Sequence, residues 1–422
     1  MQSKIIEHVS VQKLMNSIMT SNTQIEPMGK LNLKINHDPT FNRFPPRGSK
    51  VVVAMSGGVD STVAAVLLKN AGCEVIGVTM HLWDYQNVGG NPKIEHGCCT
   101  IEDRNDARIV ANLLDIPYYV VDFREEFEKG VISNFVDEYI KGRTPNPCVA
   151  CNSKVKFGVL LDRASALGAD YVATGHYARI ICDESKQPGQ YFLKRGLDKN
   201  KDQSYALWEM NQEELARTVF PVGALTKAQT REIAKCVSPS VASKKDSYEI
   251  CFVQDDNHER FLREWTTKHE NQKNNDLLTV EDLIQPGPVV DTNGRILGEH
   301  RGYPLYTIGQ RKGLGIALGR AAYVVDILPE SNTLVVGQEE DLQNNRLIAE
   351  SVNWQSLEPP LDRIYGQAKI RYRQDSTPAF ITPFEPNSAK VIFENPQRAI
   401  TPGQSVVFYN DEIVLGGGII SE

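Results

Sequence analysis

No stretch of the 422-residue chain approaches the roughly 18–20 consecutive apolar residues of a transmembrane helix, so a soluble protein is expected. Positive charge is short as well: 46 Lys and Arg face 53 Asp and Glu, a formal net charge of −7. That balance excludes a chain that clings to nucleic acid through overall charge, and any polyanion would have to use a local basic patch. Cysteine is sparse, eight residues in all, too few for a secreted disulfide scaffold. The cysteines are also unevenly placed, with Cys98 beside Cys99 and Cys148 three before Cys151, which predicts a reducing compartment and chemistry at some of the thiols. Internal repeats and low-complexity tracts are missing. What remains is a globular composition, 41% hydrophobic and 23% charged, at a length that suits two or three domains.

Residues 1–47 form an N-terminal extension with two readings. Ile5, Ile6, Val9, Leu14 and Ile18 opposite Lys4 and Lys13 resemble a transit peptide, whereas Glu7 and the scarcity of Arg favour a floppy extension. Patterning then becomes strong. Strands at Val51–Ala54, Val75–Thr79, Tyr118–Val121 and Tyr171–Thr174 are apolar throughout, and helices are expected after Thr62, over Thr100–Leu114, Phe127–Ile140 and Val155–Leu167. This alternation predicts an α/β fold with a doubly wound parallel sheet over 48–253. A central domain is expected over 254–320, helical pieces followed by a Gly- and Arg-rich stretch without βα alternation. From 321 to 422, short runs such as Tyr323–Ile327, Thr333–Val336, Gln367–Tyr372 and Ser405–Tyr409 predict a small C-terminal antiparallel β-barrel.

The run Ala54-Met55-Ser56-Gly57-Gly58-Val59-Asp60-Ser61-Thr62 joins the first strand to the first helix. Two glycines let backbone amides approach a phosphate, and hydroxyls with the helix N-terminus complete an anion cradle. Neither the Walker Gly-x-x-x-x-Gly-Lys-Ser/Thr nor a Gly-x-Gly-x-x-Gly accompanies it. A loop without the Walker lysine suits holding pyrophosphate as a leaving group, with chemistry at the α-phosphate; a glycine-rich corner is the plain alternative.

Ser56-Gly57-Gly58-Val59-Asp60-Ser61 resembles the PP-loop of the ATP pyrophosphatases. Gly142-Arg143-Thr144-Pro145-Asn146-Pro147-Cys148-Val149-Ala150-Cys151-Asn152, Ala173-Thr174-Gly175-His176-Tyr177, Lys201-Asp202-Gln203-Ser204-Tyr205, Glu249-Ile250-Cys251-Phe252 and Thr307-Ile308-Gly309-Gln310-Arg311-Lys312-Gly313 narrow it. Together, from about Lys50 onward, they resemble the tRNA-specific 2-thiouridylase (MnmA) family. The resemblance implies ATP-dependent, Mg²⁺-assisted 2-thiolation of the wobble uridine U34 in tRNAs for Lys, Glu and Gln. Sulfur would come from an upstream persulfide relay protein or cysteine desulfurase. It implies ATP contacts at Ala54, Met55, Ser56, Gly57, Gly58, Val59, Asp60, Ser61, Met80 and Gly175. Cys251 matches the persulfide carrier and Cys151 the nucleophile, the two forming a transient disulfide. Contacts to tRNA are implied at Asn146, Pro147, Cys148, His176, Lys201, Asp202, Gln203, Arg371, Tyr372 and Gln404. The chain departs from the family in having Cys148 where better-known members have Asp; Cys148, Cys151 and Cys251 then become candidate iron–sulfur ligands. A Cys-x-x-Cys is also a zinc half-site, but no second one completes it. Arg295, His300, Arg301, Arg311, Lys312 and Arg320 supply a basic middle region, and Arg371 and Arg373 flank Tyr372 as RNA-binding sites require.

Two rivals stand beside this reading. A PP-loop synthetase acting on a small metabolite would not need two distant cysteines, and a non-catalytic tRNA-binding protein would not need an intact Ser56, Asp60 and Ser61. The compartment follows the extension: bacterial cytoplasm, or an organelle matrix if residues 1–47 are a transit peptide.

Overall fold

The computed structural model describes residues 42–84, 101–185, 189–246, 250–253, 255, 257–269, 284–316, 321–355, 358–385 and 387–422. The extension over 1–41, together with Cys98, Cys99, Glu249, Gln254 and Arg320, lies outside the described residues. Strands β1 (Lys50–Ala54), β2 (Glu74–His81), β3 (Tyr118–Asp122) and β4 (Tyr171–Ala173) come first. A hairpin of β5 (Ala178–Asp183) and β6 (Gln190–Arg195) follows, then β7 (Thr218–Val219). Five of these form one parallel sheet in the order β3-β2-β1-β4-β7.

Alternation along β1 divides the core into two layers. Val52 and Ala54 join the cluster of Phe123, Phe127, Phe135 and Leu160, while Val51 and Val53 join Val63, Leu67, Val110 and Ile233 on the other face. The helix Val59–Asn70 buries nine of its residues, Val59 and Ser61 to Leu68, because Ala64 and Ala65 let neighbours pack on several sides. It stops where Gly72 takes φ +83°, the left-handed conformation that favours glycine after a helix end.

The middle of the chain differs from expectation. Strands β8 (Gly287–Asp291), β9 (Ile296–His300), β10 (Tyr323–Leu328) and β11 (Thr333–Gly337) form a four-stranded sheet ordered β10-β11-β8-β9. Tyr323–Leu328 and Thr333–Gly337, assigned to the barrel from sequence, therefore belong to the middle unit, and a boundary at 320/321 would cut that sheet in two. The reason is long-range register: β8 pairs in parallel with β11, Val289 opposite Leu334, a partnership that local turn signals do not encode.

Strands β12 (Gln343–Trp354), β13 (Ile364–Lys369), β14 (Thr377–Phe384), β15 (Ser388–Arg398), β16 (Ser405–Asn410) and β17 (Ile413–Ile420) complete the fold. Pairing runs β12-β15-β14-β13-β16-β17 and returns from β17 to β12, so six antiparallel strands close into a barrel without a free edge among them. The hairpin β5–β6, from the first half of the chain, anneals to β17 through Lys194 opposite Ile413.

A side chain at Gly417 would lie 2.8 Å from the Trp208 ring and 2.8 Å from the Val406 carbonyl oxygen, so Trp208 packs on bare backbone. Gly417→Val is expected to cost about 1–3 kcal/mol by overpacking, read as a lower urea midpoint. An unchanged midpoint would show that this contact does not hold the barrel in place.

Candidate nucleotide and tRNA site

The phosphate loop leaves the carboxyl end of β1 where the strand order reverses between β1 and β4, the place where open α/β sheets bind ligands. Gly57 has φ +72°, and a Cβ there would sit 2.1 Å from the Asp103 carbonyl oxygen. Ser56 N–H donates to Ser61 Oγ at 3.2 Å, curling the loop over the first helical turn, and Ser61 Oγ donates to the Gly58 carbonyl. Gly58 is the N-cap and gives no side-chain cap, so the first helical amides retain capacity for an anion. Met55 is locked from both sides, its N–H on Val78 O at 2.8 Å and its carbonyl accepting Thr79 Oγ1 at 2.6 Å. Gly175 follows β4, and a Cβ there would meet Asp60 C and Ser61 N at 2.7 Å each. Met80 stands two residues beyond the β2 partner of Ala54, half-buried against the Phe127 and Phe135 layer. Ala54, Met55, Ser56, Gly57, Gly58, Val59, Asp60, Ser61, Met80 and Gly175 thus gather at one sheet edge.

Asp60 is the charged centre of the loop. Lys227 Nζ binds both its oxygens, at 2.7 and 2.8 Å, and Tyr177 OH donates to Oδ1 at 2.8 Å. Lys227 also reaches Asp246 at 3.0 Å, and Lys201 and Arg231 reach the same carboxylate at 2.7 and 2.9 Å. Lys244 donates to Gly57 O at 3.1 Å and to Asp103 at 2.7 Å, and it also pairs with Asp106. Burial opposes its charge, yet Asp103 and Asp106 raise the ammonium above its ordinary range. Lys227 and Asp246 carry no motif of their own. Lys227 shows in sequence only as the first residue after the Thr226 capping box, with Asp60 167 positions away.

Asn146 caps the helix Pro147–Ala150 by accepting Val149 N–H at 3.4 Å, with Pro147 at its first turn. The helical path continues through a wide π segment, Cys151–Val159, a rare geometry that recurs at functional sites. Cys151 is buried in the layer of Phe127, Phe135 and Phe252, and Cys251 is partly buried against that same cluster. Two thiols that lie 100 positions apart in sequence therefore border the same apolar layer. Cys148 is exposed instead, and no group of three His, Cys, Asp or Glu side chains able to hold a metal occurs among the described residues. The iron–sulfur ligand set Cys148, Cys151 and Cys251 does not fit this arrangement.

The expected tRNA contacts divide into two kinds. Cys148 and Tyr372 interact electrostatically, and the Tyr372 ring lies edge-on to Tyr205 at 6.2 Å, with Lys369 Nζ 5.8 Å from both rings. Burial, aided by Asp202, pushes the Tyr372 hydroxyl up to about 12. Gln404 Nε2 donates to the carbonyls of Thr144 and Pro145 at 3.1 and 2.9 Å, tying the Asn146 loop to the barrel, and Arg371 donates to Ala399 O at 2.7 Å. Asp202 and His176 are buried and Gln203 is partly buried. Asp202 accepts Gly196 N–H and Ser204 N–H at 2.9 and 3.0 Å, and Gln203 Oε1 accepts Tyr177 N–H at 2.9 Å. His176 is buried against Phe157 and Phe220, its Nδ1 2.6 Å from Thr174 Oγ1, and burial together with Lys156 holds it neutral. In these contacts Asp202 spends both carboxylate oxygens on the fold, whereas Gln203 uses its Oε1 and His176 its Nδ1. Tyr205 closes the Lys201–Tyr205 string without having been singled out, and Lys369 is a member of the cluster that no sequence motif announced.

Three family models cover most of the chain: a tRNA methyl transferase HUP domain over 49–255, a tRNA methyl transferase PRC-barrel domain over 276–338, and an aminomethyltransferase β-barrel domain over 344–420. The chain is 48% identical over 379 residues to the tRNA-specific 2-thiouridylase MnmA of Carboxydothermus hydrogenoformans, covering 88% of this chain and 98% of the relative. It is 50% identical over 371 residues to the MnmA of Clostridium perfringens, with 88% and 98% covered. Against the MnmA of Salinibacter ruber the identity is 49% over 375 residues, with 88% and 94% covered. With a PP-loop at the switch point of its parallel sheet and such identity across nearly the full length of these relatives, the chain belongs to the tRNA-specific 2-thiouridylase MnmA family.

Proposed function

We propose that the chain converts the wobble uridine U34 of tRNA to 2-thiouridine, consuming ATP and releasing AMP and pyrophosphate. The observation that carries this reading is the pairing of a PP-loop with two thiols in one apolar layer, Cys151 and Cys251, whose cluster also includes Val52 and Ala54 of the strand that feeds the loop. A uracil carbonyl oxygen is a very poor leaving group. Attack of O2 on the α-phosphorus, with departure of pyrophosphate, converts it into a phosphate ester. The terminal persulfide sulfur on Cys251 then attacks C2, Cys151 thiolate attacks the Cys251 sulfur, and AMP leaves with the C2–O2 bond as the Cys151–Cys251 disulfide forms. An external thiol reductant restores both cysteines. The alternative course, in which hydrogen sulfide released in the site attacks C2, uses the same two thiols.

The chain's own part is to bind, orient and exclude. Loop amides and Ser56 and Ser61 hydroxyls suit the pyrophosphate end, and Gly175 lets β4 approach the loop. Magnesium ions on nucleotides are held by one or two carboxylates plus phosphate oxygens, and Asp60, in the phosphate loop, is the carboxylate we assign to that role. The exposed Cys148 and the aromatic Tyr372 are the groups we assign to an extruded base, since chemistry on a base requires taking it out of its stack. We assign tRNAs for Lys, Glu and Gln as substrates, a persulfide from a relay protein or cysteine desulfurase as sulfur source, and a reducing compartment, bacterial cytoplasm or organelle matrix. No helix among the described residues is long and apolar enough to cross a membrane.

Incubation with ATP, Mg²⁺, a persulfide donor and a tRNA transcript bearing U34 should yield 2-thiouridine by mass spectrometry of the digested RNA. Cys251→Ser and Cys151→Ser should each lower product by on the order of 10³-fold or more while tRNA binding persists. Undiminished product from either variant would sink the assigned chemistry, and pyrophosphate release that ignores tRNA would favour a metabolite synthetase. Gly175→Val should raise the KM for ATP at least tenfold, on the order of the cost of displacing a packed backbone contact. An unchanged KM would remove Gly175 from the nucleotide site. Cys148→Asp should retain thiolation within about threefold, a change under 1 kcal/mol; a loss as deep as that of Cys151→Ser would make Cys148 a participating thiol.

A further inference from the structure

One ion network touches three segments that the proposed function uses separately. Asp60 belongs to the phosphate loop, Lys201 to the loop that resembles a tRNA-contact triplet, and Asp246 stands five residues before Cys251. Lys227 Nζ bridges Asp60, at 2.7 and 2.8 Å, and Asp246, at 3.0 Å. Asp246 also takes Lys201 Nζ at 2.7 Å and Arg231 at 2.9 Å. Arg231 donates further to the carbonyls of Ala242 and Lys244 at 2.7 and 2.9 Å, fixing the backbone that carries Asp246. The groups are a quarter exposed or less on the Lys201, Lys227 and Asp246 side chains, so solvent screens them only in part. Burial pushes the Asp246 carboxyl up, but hydrogen bonds from Lys201 and Lys227 outweigh it and bring it down to about 2, so it is ionised at neutral pH.

Resting on the reading of Asp60 as a nucleotide residue and Lys201 as a tRNA residue, we propose that Asp246 is a positioning residue that couples tRNA binding to ATP binding through the shared cation Lys227. The sign follows from competition for charge. A tRNA phosphate that takes Lys201 removes one cation from Asp246 and leaves Lys227 and Arg231 to carry more of its charge. Lys227 is then drawn toward Asp246 and away from Asp60, and the Asp60 carboxylate becomes available to the cation that travels with the nucleotide. tRNA therefore tightens ATP binding, and by linkage ATP tightens tRNA binding by the same factor. Arg231 keeps Asp246 from swinging out when Lys201 leaves, so the relayed pull falls on Lys227.

The test measures binding without turnover, using the α,β-methylene analogue of ATP with Mg²⁺ and a tRNA transcript bearing U34, titrated by calorimetry on the full chain. In wild type the tRNA should tighten the analogue by about tenfold, within the range usual for two-site couplings. In Asp246→Asn and in Lys201→Met that factor should fall to about onefold, and the double variant should show no further loss, since both substitutions cut one path. A merely structural role would weaken both ligands and leave the tightening factor intact, which would overturn the proposal, as would losses that add in the double variant. Lys201→Met lies at the surface end of the network and serves if Asp246→Asn fails to fold. Wild type that binds neither ligand would instead overturn the function on which the proposal rests.

Discussion

Placement of the barrel against the nucleotide half depends on one seam. Trp208 Nε1–H donates to Ser405 Oγ at 3.0 Å and Tyr205 OH to the Ser405 carbonyl at 2.8 Å, both fully buried. Around them Val149, Phe157, Ala178 and Leu193 from the first half share a single core cluster with Val407, Tyr409 and Val414 from the barrel. Buried hydrogen bonds of this kind are costly to leave unmade, so the seam admits one alignment. That alignment sets Tyr372 against Tyr205 and Gln404 on the carbonyls of Thr144 and Pro145. The surface proposed to take the base is therefore built from both halves and belongs to no single domain.

Charge is organised by pairing more than by excess. The net charge of −7 gives no general attraction for RNA. At the site, Lys227, Lys201, Arg231 and Lys244 are each countered by Asp60, Asp246, Asp103 or Asp106. A polyanion that binds there exchanges partners with these carboxylates instead of meeting bare cations. Such exchange weakens non-specific adhesion while leaving a specific ligand able to repay each broken pair.

The parallel sheet was legible because its information is local. Val51 to Val53 are apolar on both faces, Gly72 and Gly168 stop their helices, and the Ser56–Ser61 string sits where strand meets helix. The annealing of the β5–β6 hairpin to β17 and the β8–β11 pairing were not legible, since those partners lie far along the chain and Gly287 and Pro288 blur the period-two pattern of β8. The same division holds in the site. Cys151 and Cys251 stood out by residue type, and the loop by its glycines. Lys227 and Asp246 look like ordinary surface charges until folding brings them to Asp60. The contacts that His176, Asp202 and Gln203 make to their own fold were not legible either, because a sequence string does not tell which backbone groups a polar side chain will meet.

The hairpin β5–β6 has a consequence for synthesis on the ribosome. Its barrel partner β17 is the final strand of the described fold, more than two hundred residues downstream of Arg195. At 5–20 residues per second the hairpin waits on the order of 10–40 s before that strand emerges, and β12 waits for it too. Through that interval the nascent chain carries unsatisfied strand edges, open to pairing with neighbouring chains. Release of a finished molecule, and its protection from aggregation, thus hinges on Ile413–Ile420, the segment that closes the barrel and seals the hairpin in one event.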